Sequence, residues 1–220
     1  GDICDYDFIL KETKKIDLIF HLAALISIPY SYKSPRSYIS TNIEGTLNIL
    51  EAAKLNNVEK IINTSTSEVY GTAQKIPIDE KHVLNAQSPY AATKISADQL
   101  SMSYYRSFGL PVTILRPFNT FGPRQSLRAA IPTIISQIVM GKKNIKLGNV
   151  KATRDFTYVS DTVEGYIKTI RNKKCVGETI NLGTGSEFSI KKIVELVSLI
   201  TKKDIKIIYD QKRIRPKKSE

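Results

Sequence analysis

The sequence predicts a doubly wound α/β fold on a parallel sheet, and three observations predict it. Four short apolar runs read as strands buried on both faces, helical patterns lie between them, and 41% hydrophobic with 25% charged residues over 220 positions is enough to bury a substantial core.

The first strand is expected at residues 17–22, the others at 60–63, 112–115 and 179–182. A helix is expected over 42–55, where Ile43, Leu47, Leu50 and Ala53 recur at helical spacing. The next, 89–108, carries its own end signals: Ser88 as N-cap, Pro89 in the first helical position, then Gly109 and Pro111 as a stop. Beyond the third strand the chain is loop-rich to Arg154, with one helix over 131–140, and a further helix spans 159–171. A dinucleotide-binding sheet normally opens with a strand, a Gly-rich turn and a helix whose N-terminus receives the pyrophosphate. Such a turn does not occur here, and Gly183-Thr184-Gly185 follows the last strand instead. The first run is therefore expected as a bare sheet edge. The chain is expected to be an N-terminally truncated NAD(P)-binding Rossmann-like sheet over 1–120, lacking its first strands and Gly-rich loop. Residues 121–220 are expected to form a smaller, partial C-terminal substrate-binding lobe, interleaved with the last strand and helix of the sheet.

Composition narrows the function. The net charge of +12 is spread over short pairs, Lys14-Lys15, Lys142-Lys143, Lys173-Lys174, Lys191-Lys192 and Lys202-Lys203, without interleaved aromatic platforms. This argues against a nucleic-acid partner and suits a smaller anion such as a nucleotide diphosphate equally well. No apolar run approaches the roughly 20 residues of a membrane span, and the first residues lack the pattern of a signal peptide, so no membrane partner and a cytoplasmic location are expected. Cys4 and Cys175 read as reduced thiols, and no metal site is expected.

The sharpest chemical signal is Tyr90 with Lys94, four apart on one helical face. A neighbouring ammonium favours a phenolate over the ordinary phenol, whose pKa is about 10, so the tyrosine can take a proton from a hydroxyl while hydride leaves the same carbon. That spacing also arises by chance in ordinary helices. The run into Thr66, Ser67 and Glu68 adds weight, because ligands of open α/β sheets sit at the carboxyl ends of the strands. Thr66 can bond a substrate hydroxyl, and Glu68 can act as acid or base if burial raises its pKa.

Six ordered motifs, His21-Leu22-Ala23-Ala24, Asn42 through Asn48, Ser65 through Gly71, Ser88 through Lys94, Arg116 through Arg124, and Arg154 through Val159, resemble the extended short-chain dehydrogenases/reductases of the NAD-dependent epimerase/dehydratase family. Within it the chain looks most similar to the NAD-dependent sugar-nucleotide 4,6-dehydratases of the legionaminic acid pathway, enzymes of cell-surface polysaccharide biosynthesis. The resemblance implies NAD as cofactor, with NADP left open, a nucleotide-sugar substrate such as UDP- or GDP-N-acetylglucosamine, and a homodimer paired through the helices 42–55 and 89–108. By the same resemblance Asp2 and Ile3 meet the adenine, His21, Ala23, Ala24 and Pro117 line the cofactor, and Tyr90 and Lys94 form the catalytic pair. Thr66 helps Tyr90 hold the sugar, and Glu68 is the base at C5. Ser67 also faces substrate, where the dTDP-glucose type carries an acid. Asn119, Arg154 and Arg215 grip the nucleotide diphosphate. A 4-epimerase, a UDP-glucuronate decarboxylase and an inactive binding remnant are the alternatives. Asn42 and Asn48 are expected to fix helix packing, Asp161 to cap a helix, and His82 to lie at the surface.

Overall fold

The computed structural model describes residues 1–211. Asp5 opens α1 (Tyr6–Glu12) by accepting from the Phe8 amide at 3.0 Å. Next come β1 (Leu18–His21), the single-turn helices α2 (Ile28–Ser31) and α3 (Pro35–Tyr38), and a π-helical turn, Ile39–Glu44, that runs into α4 (Gly45–Leu55). After β2 (Lys60–Thr64) a 3-10 turn, Ser67–Tyr70, and a long loop lead to α5 (Pro89–Phe108) and β3 (Val112–Pro117). The chain continues through β4 (Asn119–Phe121), α6 (Ala130–Val139), β5 (Asn144–Leu147), β6 (Thr153–Arg154), β7 (Phe156–Tyr158) and α7 (Val159–Arg171). Among the described residues the last elements are β8 (Thr179–Leu182), β9 (Phe188–Ser189), α8 (Ile190–Thr201) and β10 (Lys206–Tyr209).

Two compact units result. The first takes Gly1–Pro117 and Val163–Leu182, the second Phe118–Thr162 and the described residues from Gly183 onward. In the first, four parallel strands lie in the order β1-β2-β3-β8, with Leu18 opposite Lys60, Ile61 opposite Val112 and Ile114 opposite Thr179. The four expected strands are these four, and the α/β fold with a parallel sheet is what the sequence predicts. Leu50 and Ala53 of α4, Tyr104 of α5 and Ile61, Val112 and Ile114 of the sheet share one apolar core. In the second unit β5 pairs with β10 in parallel, and Ile134 and Ile138 of α6 meet Ile193 and Val194 of α8 over them.

α5 matches its expected bounds because both ends are locally encoded. Ser88 Oγ accepts from the Ala91 amide at 3.1 Å, Pro89 needs no partner for an amide it lacks, and Gly109 turns left-handed at φ 69°. The helix expected over 42–55 is part of a longer helical run from Pro35, interrupted by the π turn. There Asn42 turns inward: its Oδ1 accepts from the Leu25 amide at 2.8 Å, and its Nδ2 donates to Leu25 O at 3.0 Å and Thr93 Oγ1 at 3.1 Å. Asn48 donates to Ile3 O at 2.9 Å, so both asparagines fix packing. Asp161 is not a cap but the third residue of α7, accepting from Ser160 Oγ at 3.1 Å. His82 lies at the surface, half-exposed, accepting from the Gln74 amide at 3.0 Å with its ring edge-on to Tyr70.

Candidate functional site

In a parallel sheet the carboxyl ends of all strands share one edge, so His21, Thr64 and Pro117, which close β1, β2 and β3, lie along it. Just beyond β2, extended backbone at Thr66 lets its Oγ1 accept from the Glu68 amide at 3.2 Å, capping the 3-10 turn. Gly71 ends the turn at φ 65°, and a Cβ there would come within 2.4 Å of Asn85 O, so this position needs glycine. The turn presents Thr66, Ser67 and Glu68 half-buried. Facing it is the start of α5, where Tyr90 and Lys94 are 7% and 3% exposed.

The structure brings Thr66, Glu68 and Tyr90 together. Burial pushes the Tyr90 phenol well above its ordinary range, a hydrogen bond from Thr66 opposes this, and the charges of Glu68, Tyr38 and Asp98 add to it. The expected help from Lys94 is not what acts on Tyr90 here. The Lys94 ammonium instead donates to Thr64 O at 2.6 Å, and burial lowers its pKa against the pull of Asp98. His21 is held down at about 3, by burial first and then by Lys94. The Thr46 hydroxyl spends its proton on Asn42 O at 2.7 Å, so in the His21 Nε2–Thr46 Oγ1 contact of 3.0 Å the imidazole is the donor. His21 is therefore assigned as neutral, with its proton on Nε2.

The other expected residues are scattered more widely. Ala23 is exposed and Ala24 half-buried in the loop after β1, and Pro117 is half-buried. Asp2 is exposed, and its Oδ1 accepts from the Cys4 amide at 2.9 Å, which lowers its pKa. Ile3 packs on Gly45. Asn119 and Arg154 belong to the second unit: Asn119 N donates to Asp155 O at 3.0 Å, and Arg154 Nη1 donates to Thr153 O at 2.7 Å. Arg215 lies outside the described residues. The Gly183-Thr184-Gly185 turn serves Asp155, whose Oδ2 accepts from the amides of Thr184 and Gly185, both at 2.8 Å.

A polar network next to the site has no counterpart in the sequence reading. Asp98 Oδ2 accepts from Ser65 Oγ at 2.8 Å and from Arg116 Nη2 and Nε at 2.9 and 3.1 Å. Burial raises the Asp98 pKa, and Arg116 leads the groups that oppose it; three donors on one oxygen favour the ionised form. Arg116 Nη1 donates to Tyr70 OH at 2.9 Å, which donates to Asn181 Oδ1 at 2.8 Å. Tyr166 OH donates to Thr64 Oγ1 at 2.8 Å. The pairing of positions 98 and 116 exists only through the fold; the helical offset of Asp98 from Lys94 was the one visible hint. Among the described residues no group of three or more His, Cys, Asp or Glu side chains could hold a metal, and no helix is long and apolar enough to cross a membrane.

The family description for GDP-mannose 4,6 dehydratase matches residues 1–220. The human dTDP-D-glucose 4,6-dehydratase is 36% identical over 203 residues, 91% of this chain and 58% of that protein. The UDP-N-acetyl-alpha-D-glucosaminuronate decarboxylase of Bacillus cytotoxicus is 37% identical over 201 residues, 88% of this chain and 62% of that protein. The chain thus spans about three-fifths of the length of these relatives. The solved UDP-glucuronic acid 4-epimerase from Bacillus cereus, in complex with UDP-glucuronic acid and NAD, superposes with a TM-score of 0.91 at 33% identity, covering 100% of this chain and 69% of that one. With the whole chain matched and the parallel sheet in place, this protein belongs to the GDP-mannose 4,6 dehydratase family of the extended short-chain dehydrogenases/reductases.

Proposed function

We propose that this chain carries the catalytic centre of a nicotinamide-dependent 4,6-dehydratase, a lyase that converts UDP- or GDP-linked N-acetylglucosamine to the 4-keto-6-deoxy sugar. One observation carries the reading: the 3-10 turn after β2 sets a hydroxyl, Thr66, and a carboxylate, Glu68, against the buried phenol of Tyr90. The chemistry of the edge fits NAD, which the solved Bacillus cereus epimerase also binds: a buried amine, a buried phenol and a neutral imidazole converge where parallel strands end. When bound, a nicotinamide would supply reversible hydride transfer with the substrate, with no net consumption of cofactor. Lys94 would hold its ribose, and His21, Ala23, Ala24 and Pro117 would flank it, with Asp2 and Ile3 at the adenine.

Tyr90 takes the C4 hydroxyl proton, while Thr66 orients that hydroxyl. The buried phenol keeps its own proton, so the transfer needs a cation beside it; Lys94, one turn further on and bonded to Thr64 O, would have to turn toward the phenol to supply it. Glu68 then removes the C5 proton made acidic by the C4 ketone. Ser67 supplies no carboxylate, so Glu68 also delivers that proton to the C6 hydroxyl, which leaves as water; C6 would then take back the hydride and C5 a proton, balanced by the one that Tyr90 took from C4. Asn119, Arg154 and Arg215 would grip the nucleotide diphosphate, and a substrate-binding lobe would be drawn from residues 121–220 apart from Val163–Leu182, which belong with the sheet. The enzyme would work in the cytoplasm, in the making of cell-surface polysaccharide, as a homodimer paired through α4 and α5.

One observation favours a 4-epimerase or decarboxylase instead: with Ser67 in the turn, Tyr90, Lys94 and Thr66 already suffice for oxidation and re-reduction at one carbon. Mass spectrometry of the protein with NAD and UDP-N-acetylglucosamine separates the readings. Loss of one water, lowered at least about a hundredfold in Tyr90→Phe and comparably in Glu68→Gln, is the expected outcome. An isomer of unchanged mass, or loss of carbon dioxide from a UDP-uronate, would replace the dehydratase by its alternatives, and no turnover of any nucleotide sugar would leave a binding remnant.

A further inference from the structure

We propose that the buried Asp98–Arg116 pair is a positioning clamp for the catalytic turn: it grips the segment after β2 at both ends, through Ser65 and Tyr70, and so keeps Thr66 and Glu68 set against Tyr90. The activity arm of this inference rests on the function proposed above.

The clamp is built from bonds that converge. Ser65, whose hydroxyl donates to Asp98, sits between Thr64, whose carbonyl receives Lys94, and Thr66, whose hydroxyl bonds Tyr90. At the other end Tyr70 closes the 3-10 turn that carries Glu68, and its hydroxyl accepts from Arg116. A single guanidinium makes both connections, Nε and Nη2 to Asp98 and Nη1 to Tyr70. Only a planar fork does this; a lysine offers one nitrogen in place of three. Each anchor stands on a different element: Asp98 on α5, Arg116 on β3, and Asn181 of β8 accepting from Tyr70. Tyr90, Lys94 and Asp98 follow at intervals of four on one face of α5, so the helix that carries the proposed base also carries the grip on its partners.

A buried ion pair that served only packing would not need these two side branches. At 1% and 4% exposure, Asp98 and Arg116 would remain paired if either branch were cut. The discriminating variants are therefore Ser65→Ala and Tyr70→Phe, which each remove one hydroxyl and leave the pair intact. In the full chain, amide hydrogen exchange at residues 66–71 is expected to speed up about tenfold in each variant, while the urea midpoint stays near that of the parent. With NAD and nucleotide sugar, kcat is expected to fall about tenfold to a hundredfold, with KM changed less than about twofold, as for a misplaced reacting group. Unchanged exchange across the turn in both variants would overturn the clamp, whatever the activity. If the parent turns over no nucleotide sugar, the function proposed above fails, and the exchange measurement still decides the clamp alone.

Discussion

His21 shows how a single side chain can tie the site to the stability of the chain. Buried and neutral, with a pKa held down from 6.5 to about 3, it binds a proton in the unfolded chain across a range where the folded chain excludes it. Its contribution is therefore fully present above 6.5 and is lost as the pH falls toward about 3. The slope approaches about 1.4 kcal/mol per pH unit within that window. Urea denaturation between about pH 7 and about pH 5, above the range of ordinary carboxylates, should show falling stability in the parent. In His21→Gln, which has no titrating ring, that fall should largely vanish, and an equal slope in both proteins would mean that the imidazole is not buried neutral. The same residue-level view explains why Tyr90 and Lys94 were legible and their electrostatics were not. Spacing puts them on one face, but the partner of Lys94, the Thr64 carbonyl, is 30 positions away in sequence.

Among the elements, α5 offers the cleanest test, because its two ends are local. Ser88→Ala removes the bond to the Ala91 amide and should cost about 1 kcal/mol. Gly109→Ala should cost about 1–2 kcal/mol from its left-handed backbone alone, because nothing lies within 4 Å of a Cβ built there. Urea melts of the two variants and their combination should add, since the sites lie at opposite ends of the helix. Local encoding also marks the limit of what the sequence reveals. α7 and β8 match their expected bounds, and α4, α6 and the strands β1, β2 and β3 lie within a few residues of theirs. The π turn has no local signal, because Asn42 satisfies its side-chain amide through Leu25 and Thr93, partners that no local pattern announces. α8 lies outside the expected elements although its signal is local: Ile190, Ile193, Val194 and Val197 recur at helical spacing behind Ser189, which accepts from the Lys192 amide at 3.0 Å. The Asp98–Arg116 clamp is the opposite case, since two residues of ordinary helix and strand become a unit only when α5 folds over β3.

For the whole molecule the question is where a second copy could meet it. A net charge of +12 makes like molecules repel, so any contact between copies favours a face where charge is cancelled. The α4–α5 surface is such a face. Lys54 is met by Glu51 at 2.8 Å and stacks on the Phe108 ring at 4.5 Å, while Leu47, Leu55 and Phe108 expose apolar surface around them. β1 is the competing surface: it has a strand partner on one side only among the described residues, and Phe20 is 38% exposed. Sedimentation at fixed protein concentration should show the dimer fraction rising as salt increases from about 0.05 to about 0.3 M, because screening weakens the overall repulsion. The dimer should be lost in Leu47→Lys with Leu55→Lys, which restores charge to the neutral face, and should persist in Phe20→Lys. Loss in Phe20→Lys alone would move the contact to the edge strand, where backbone hydrogen bonds rather than helix side chains would join the copies, and the proposed pairing through α4 and α5 would be wrong.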